Sequence, residues 1–397
     1  MNAAELLSSR ARAIDASGIR RVFELAAGLK NPINLSIGQP DFPVPQALKR
    51  AAADAVMNDQ NGYTITQGTP SLRAKIAAHL RRDVGWSCAI NPGEAGPGLM
   101  VTSGTSGALL LSFMSLLSPG DEVVIPDPYF VSYPELATMC GAGAVLCDTY
   151  PDFRMTAERV EPLLTARTKA VLFCSPSNPA GVALRERECR DLLDLCRARG
   201  VLLMADEIYD EFAFASARTQ PSAGDPSDRR CPSPARFAGS EDAVLLIRGF
   251  GKTYGCTGWR LGYAAGPAPI IGAMSKLQQY TFVCAPSPLQ AAAEAAFDTD
   301  MGPTVAKFQT RRDRVVERLA PLTEVATPDG AFYAFVKVPD HLGLTGSAFF
   351  EKCVEREVLV IPGKVFSKRD THFRLSFATP EDKLAAGLEI IADLMPR

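Results

Sequence analysis

Between about residues 98 and 265 the chain alternates short apolar runs with longer amphipathic stretches. The runs at 99–101, 122–125, 144–147, 170–173, 202–205 and 243–247 are strand-length and apolar almost throughout, the pattern of strands covered on both faces. Between them, residues 107–117 and 186–199 carry apolar positions at helical spacing. Strand–helix–strand alternation of this kind predicts an α/β fold with a mainly parallel sheet and helices on both faces. Ligands in such folds gather at the carboxyl ends of the strands.

After residue 285 the texture changes. A helix over 289–297 and a second helical stretch running to 318 precede strands and a last helix over 381–394. This predicts a large domain over 48–284 and a smaller α+β domain over 285–397, with segment 1–47 joining the smaller one. Residues 216–242, rich in Pro, Ser, Arg and Asp, read as a long surface loop.

Composition narrows the function classes. The 397 residues carry a net charge of −2, with 47% hydrophobic and 22% charged residues. That balance offers no electrostatic reason for a nucleic-acid or anionic-membrane partner. No apolar run reaches transmembrane length, and the N-terminus lacks the basic and apolar regions of a secretory signal, so a cytoplasmic protein is expected. Ten cysteines occur without a Cys-x-x-Cys pair, and His79, His341 and His372 stand far apart. Neither a metal site nor a disulfide framework is expected.

The densest chemistry lies in Gly249-Phe250-Gly251-Lys252-Thr253-Tyr254-Gly255-Cys256-Thr257-Gly258-Trp259-Arg260-Leu261-Gly262. Gly251-Lys252-Thr253 matches the end of a nucleotide P-loop, but that motif needs glycine where Leu246 stands. A lysine that forms a Schiff base, beside an arginine that binds phosphate, suits the segment better. Four further segments add to it. Ser103-Gly104-Thr105-Ser106 opens a helix after a strand, so it is either a plain cap or an anion cradle. Asn178, within Ser175-Pro176-Ser177-Asn178-Pro179, is a turn residue or a rigid amide donor. Asp206 ends an apolar strand, with Tyr209 three residues on, and reads as a helix cap, a structural ion pair or a partner for a ring nitrogen. Arg374, in an alternating strand, is a solvated charge or a carboxylate clamp.

These parts, in this order, make the chain resemble the fold-type-I pyridoxal-phosphate enzymes, specifically the class I/II aminotransferases, over nearly its whole length. The resemblance runs from Asn34-Leu35-Ser36-Ile37-Gly38-Gln39-Pro40-Asp41-Phe42 to Arg374. It implies pyridoxal 5′-phosphate held covalently by Lys252, which also shuttles the substrate proton. Asp206 pairs with the ring nitrogen, and Asn178 and Tyr209 bond the phenolic oxygen. Phe130 stacks on the ring, while Ser103, Gly104, Thr105, Ser106 and Arg260 form the phosphate site. Tyr63 reaches the phosphate of a neighbouring subunit, so a homodimer is implied. Gly38, Asn178 and Arg374 receive the substrate. The implied reaction moves an amino group between an L-amino acid and a 2-oxo acid, with glutamate and 2-oxoglutarate as one pair; a C–S β-lyase on the same scaffold is the alternative. A non-enzymatic regulator with this fold is disfavoured, because it usually carries an added DNA-binding domain. Gly249 and Gly251 depart from the family, which often has hydroxyl residues there. Arg20 and Lys364 are candidates for a substrate side chain, or solvated charges.

Overall fold

In the computed structural model, which describes residues 2–396 apart from 17, 20, 21, 23–27 and 92, seven strands form the central sheet. They are β1 (Gly98–Ser103), β2 (Glu122–Asp127), β3 (Gly143–Asp148), β4 (Thr168–Cys174), β5 (Leu202–Asp206), β6 (Val244–Gly249) and β7 (Leu261–Gly266). Their spatial order is β1-β7-β6-β5-β4-β2-β3. Every pairing is parallel except those of β7, which runs antiparallel to both β1 and β6. The apolar runs anticipated six of these strands. β7 carries no such signal because Gly262 and Gly266 dilute it. Its glycine is needed: a Cβ on Gly262 would stand 2.8 Å from Gly104 C and Thr105 N.

The apolar runs are buried on both faces, as their composition requires. Met204, Leu245 and Ile247 pack with Leu109, Phe113, Tyr133 and Leu136 on one side. Leu203, Ala205 and Leu246 pack with Leu72, Ile76, Leu80, Leu192 and Cys196 on the other. The covering helices are α1 (Pro70–Val84), α2 (Gly104–Leu116), α3 (Ser132–Cys140) and α4 (Glu186–Arg199). Helix α4 spans the residues its periodicity indicates. Glu188 accepts the Arg185 backbone N–H at its start, and Gly200 in the left-handed region ends it.

The two helical stretches expected after residue 285 are α5 (Ser287–Glu294) and α6 (Gly302–Leu319). Asp300 Oδ1 accepts the Gly302 N–H at 2.8 Å, and Pro303 in the first turn of α6 starts a new helix rather than continuing the old one. Segment 216–242 is not a plain surface loop. It contains the hairpin Gln220–Pro221 with Arg229–Arg230, and Cys231, Ser233 and Ala235 are buried because the Ser233 N–H bonds Gln220 Oε1.

The chain's C-terminal part adds an antiparallel sheet of β8 (Tyr333–Lys337), β9 (Ile361–Pro362) and β10 (His372–Ser376), with β10 in the middle. Ile33–Asn34 pairs in parallel with Val358–Leu359. Leu35 therefore shares a core with Phe335, Leu359, Leu375 and with Leu384 and Leu388 of α7 (Glu381–Asp393). Among the described residues no helix is long and apolar enough to cross a membrane.

Candidate active site

A cavity of about 380 Å³ opens at the carboxyl ends of β1, β4, β5 and β6. Into it converge Gly38, Gly104, Thr105, Ser106, Phe130, Asn178, Asp206, Tyr209, Lys252, Arg260 and Arg374. Residues scattered over more than three hundred positions thus meet where the sheet topology brings the strand ends together.

One end of the cavity is built for an anion. Helix α2 begins at Gly104, and Ser103 gives it no side-chain cap, so the first-turn N–H groups remain available at the positive end of the helix. Arg260 sits in the left-handed region at φ 53°. This turns its guanidinium over the cradle, with Nη2 3.2 Å from Ser106 Oγ. Gly104, at φ +68°, is required there: a Cβ would stand 2.8 Å from Arg260 Nη2. Ser103 itself is not part of the lining.

At the other end lies Asp206, buried, with Oδ2 accepting the Tyr133 hydroxyl at 2.7 Å. Burial pushes its carboxyl up to about 6, against the opposing pull of Tyr133 and the Ile208 N–H. The Phe130 ring lies edge-on to Tyr133. Lys252 Nζ stands between the two ends and donates to Gly38 O at 2.5 Å. Burial, then the Arg374 and Arg260 charges, bring its amine down to about 8. A lysine so placed is partly deprotonated near neutrality and able to act as a nucleophile.

Arg374 is 1% exposed and faces inward, so the solvated alternative falls away. Its Nη1 donates to Asn178 Oδ1 at 2.9 Å and its Nη2 to Ser36 O at 2.8 Å. Nε is buried without a partner. The Asn178 amide oxygen is thus committed to Arg374, leaving its NH₂ for other acceptors. Tyr209 does not meet Asn178; its hydroxyl lies 3.2 Å from that of Tyr333.

Tyr133 and Tyr333 escaped the sequence reading. Tyr133 lies on α3, where nothing local connects it to Asp206. Tyr333 had a weak signal in Gly330-Ala331-Phe332-Tyr333, a glycine turn leading into an aromatic strand. Tyr63 is 88% exposed and outside the cavity. Lys364 is exposed and does not line it. Arg20 lies outside the described residues. A larger cavity of about 430 Å³ lies behind the Lys252 turn, but its Arg230 and Arg248 are matched to Glu211, Asp228 and Asp210. The smaller cavity differs in bringing together a cradle, an amine of lowered basicity and a carboxylate that no cation pairs among the described residues.

These donors fit pyridoxal phosphate: an anion cradle at one end, a buried carboxylate at the other, and an amine poised for a carbonyl between them. Comparison with known proteins agrees. The family model for class I and II aminotransferases matches residues 30–391. The aspartate aminotransferase of Pyrococcus abyssi is 33% identical, with 96% of each chain covered. Aromatic-amino-acid aminotransferase 2 of Thermococcus litoralis is 30% identical, also over 96% of both. The crystal structure of the Thermotoga maritima aspartate aminotransferase superposes with a TM-score of 0.88 at 32% identity, covering 98% of this chain and 99% of that one.

Proposed function

Since this chain belongs to the class I and II aminotransferases and is a pyridoxal-phosphate-dependent transaminase of fold type I, we propose that the cavity around Lys252 is its active site. The observation that carries this reading is the Lys252 amine, buried and depressed to about 8, between the Arg260 cradle and the Asp206 carboxylate.

In this reading the first turn of α2, Ser106 and Arg260 would hold the cofactor's phosphate, Asp206 would pair with its ring nitrogen, and Phe130 would pack against its ring. When bound, the cofactor would supply an electron sink for a carbanion at the substrate α-carbon. Lys252 would be the amine that anchors the cofactor and the base that holds or returns the proton of the substrate α-carbon. Its depressed basicity suits a group that must both take and return a proton. Asp206, held by Tyr133, supplies a fixed negative charge. Arg374 receives the α-carboxylate, aided by the Asn178 NH₂ and the Gly38 backbone. The Tyr209–Tyr333 hydroxyl pair leaves Tyr209 one more hydrogen bond for the phenolic oxygen.

Glutamate and 2-oxoglutarate form one exchange pair, a reading supported by relatives named for aspartate. A larger domain over 48–284 and a smaller one over 285–397 with segment 1–47 are supported by the separate core of the small sheet, while Ala285, Ala293 and Ala296 pack in a core of the central sheet. Tyr63, with exposed Ile65, Tyr280, Phe282 and Val283, marks the face where a second copy docks, its Tyr63 reaching this chain's phosphate cradle. A protein of this kind works in the cytoplasm.

The test is an absorption spectrum of the pyridoxal-phosphate-loaded protein before and after L-glutamate. Loss of the visible band to an amine-form band near the ultraviolet, with 2-oxoglutarate released, is the expected result. Lys252→Ala should fold, yet show neither band conversion nor turnover. Transamination retained in that variant would overturn the assignment.

A further inference from the structure

Behind the strand ends that carry Asp206 and Lys252 lies a second set of charges that the chemistry above does not use. Side chains alternate between the faces of a strand. Met204 and Ile247 pack with Tyr133, on the face to which Asp206 belongs. Ala205 and Leu246 pack on the opposite face, and so do Glu207 and Arg248. Arg248, on β6 just before the glycine-rich turn, is 1% exposed. Its Nε and Nη2 donate to Glu207 Oε2 at 3.1 and 2.8 Å, and its Nη1 to Asp83 Oδ2 at 2.7 Å. Nε also stands 3.0 Å from Asp210 Oδ2. Asp83 is shared with Arg236 at 2.6 Å.

Each carboxylate is one step from a residue of the site or from its scaffold. Glu207 follows Asp206, Asp210 follows Tyr209, and Asp83 belongs to α1. The Glu207 N–H also bonds Ile247 O at 2.8 Å, tying the end of β5 to β6 just ahead of the Lys252 turn. Three carboxylates here meet two guanidinium groups. His79, Cys189, Glu211, Arg230, Cys231, Tyr254 and Tyr263 are further ionisable groups that bear on them. Burial alone would depress the Arg248 guanidinium, but Asp210, Asp83 and Glu207 outweigh it and hold it well above the ordinary range.

We propose that Arg248 is a positioning residue for the cofactor site: from the far face of the sheet it neutralises Glu207 and Asp210, and so keeps their neighbours Asp206 and Tyr209 in place and Asp206 ionised. The inference rests on the assignment of Asp206 and Lys252 to the cofactor. Without Arg248, Glu207 and Asp210 would lose its guanidinium, and Asp83 would keep Arg236. Like charges at that spacing repel, and the nearest relief is for one to protonate or move. The negative charge of Glu207 already opposes ionisation of Asp206. A planar guanidinium with five donors can reach all three carboxylates at once, whereas a lysine ammonium cannot.

A double-mutant cycle separates this role from a purely structural one. Arg248→Gln and the fold-safe Arg248→Lys are each made in the native and the Asp206→Asn backgrounds. The dissociation constant of pyridoxal phosphate for the cofactor-free protein is then measured by the growth of the visible band, with thermal unfolding followed in parallel. The expected result is affinity weakened about tenfold by Arg248→Gln and about threefold by Arg248→Lys, with less than a twofold effect of either once Asp206 is Asn. Equal losses in both backgrounds, or unchanged affinity in either folded variant, would overturn the proposal. A wild-type chain that develops no visible band would instead overturn the Lys252 assignment, and this inference with it.

Discussion

Lys252 shares its enclosure with two permanent cations, Arg374 and Arg260, and has only Asp206 to offset them. Nucleophilic capture of an aldehyde needs the neutral amine. The rate at which cofactor-free protein takes up pyridoxal phosphate should therefore rise with pH through a midpoint near 8 and level off above it. Stopped-flow absorbance would check this, and a midpoint near 10 would show that the amine is not depressed. Asp206 has the opposite signature. Its carboxyl, raised to about 6 from an ordinary value of about 4, binds a proton more tightly in the folded than in the unfolded protein. Stability falls as pH rises between those values and stays lower above them. Asp206→Asn should therefore stabilise the cofactor-free protein at pH 8 by roughly 1–3 kcal/mol, with no gain at pH 4, while weakening the cofactor. Chemical denaturation at the two pH values checks the sign. At Arg374, replacement by Lys forfeits the fork to Asn178 and Ser36. A fall in kcat/KM of about 10–100-fold, carried mainly by KM for the 2-oxo acid, is expected.

Among elements, the turn between β6 and β7 bears most of the chemistry, and small residues decide its shape. A Cβ on Gly262 would press on Gly104 C, Thr105 N and Arg248 O, all backbone atoms, which have no rotamer to escape into. Gly262→Ala should push β7 away from the start of α2. Both cofactor affinity and melting temperature should fall, as titration and a thermal scan would show. Gly249 is confined by side-chain ends instead: a Cβ would lie 2.9 Å from Ile208 Cδ1 and 3.0 Å from Thr105 Cγ2, so a side chain there would crowd the cradle. The parts legible in the sequence were those whose signal is local. The Lys252 turn, the α2 cradle, the apolar strands and the helical spacing of α4 are each written within about a dozen residues. Contacts made only by the fold were not legible. Tyr133 finds Asp206 across 73 positions and Arg248 finds Asp83 across 165. Arg248 looked like the polar end of an apolar run, yet the strand continues through it to Gly249.

For the whole molecule, the exposed group of Tyr63, Ile65, Tyr280, Phe282 and Val283 is too apolar to be left facing water without consequence. Sedimentation should give a dimer. Tyr63→Phe should leave that dimer intact while weakening cofactor affinity several-fold, since it removes one hydroxyl from the partner's cradle; a monomer at micromolar concentration would contradict the docking face.

The pairing of Ile33–Asn34 with Val358–Leu359, and of Arg374 with Ser36 O, has a consequence for how the protein is made. All seven strands of the central sheet, and the cavity residues from Gly104 to Arg260, have been synthesised by Gly266. Arg374 emerges about a hundred residues later, roughly 5–20 s at ordinary rates of translation. Throughout that interval the segment from Ile33 to Ser36 waits without its partners. The newborn chain should thus acquire the means to hold its coenzyme before it can recognise a substrate, and coenzyme fluorescence on stalled ribosomes would register that order.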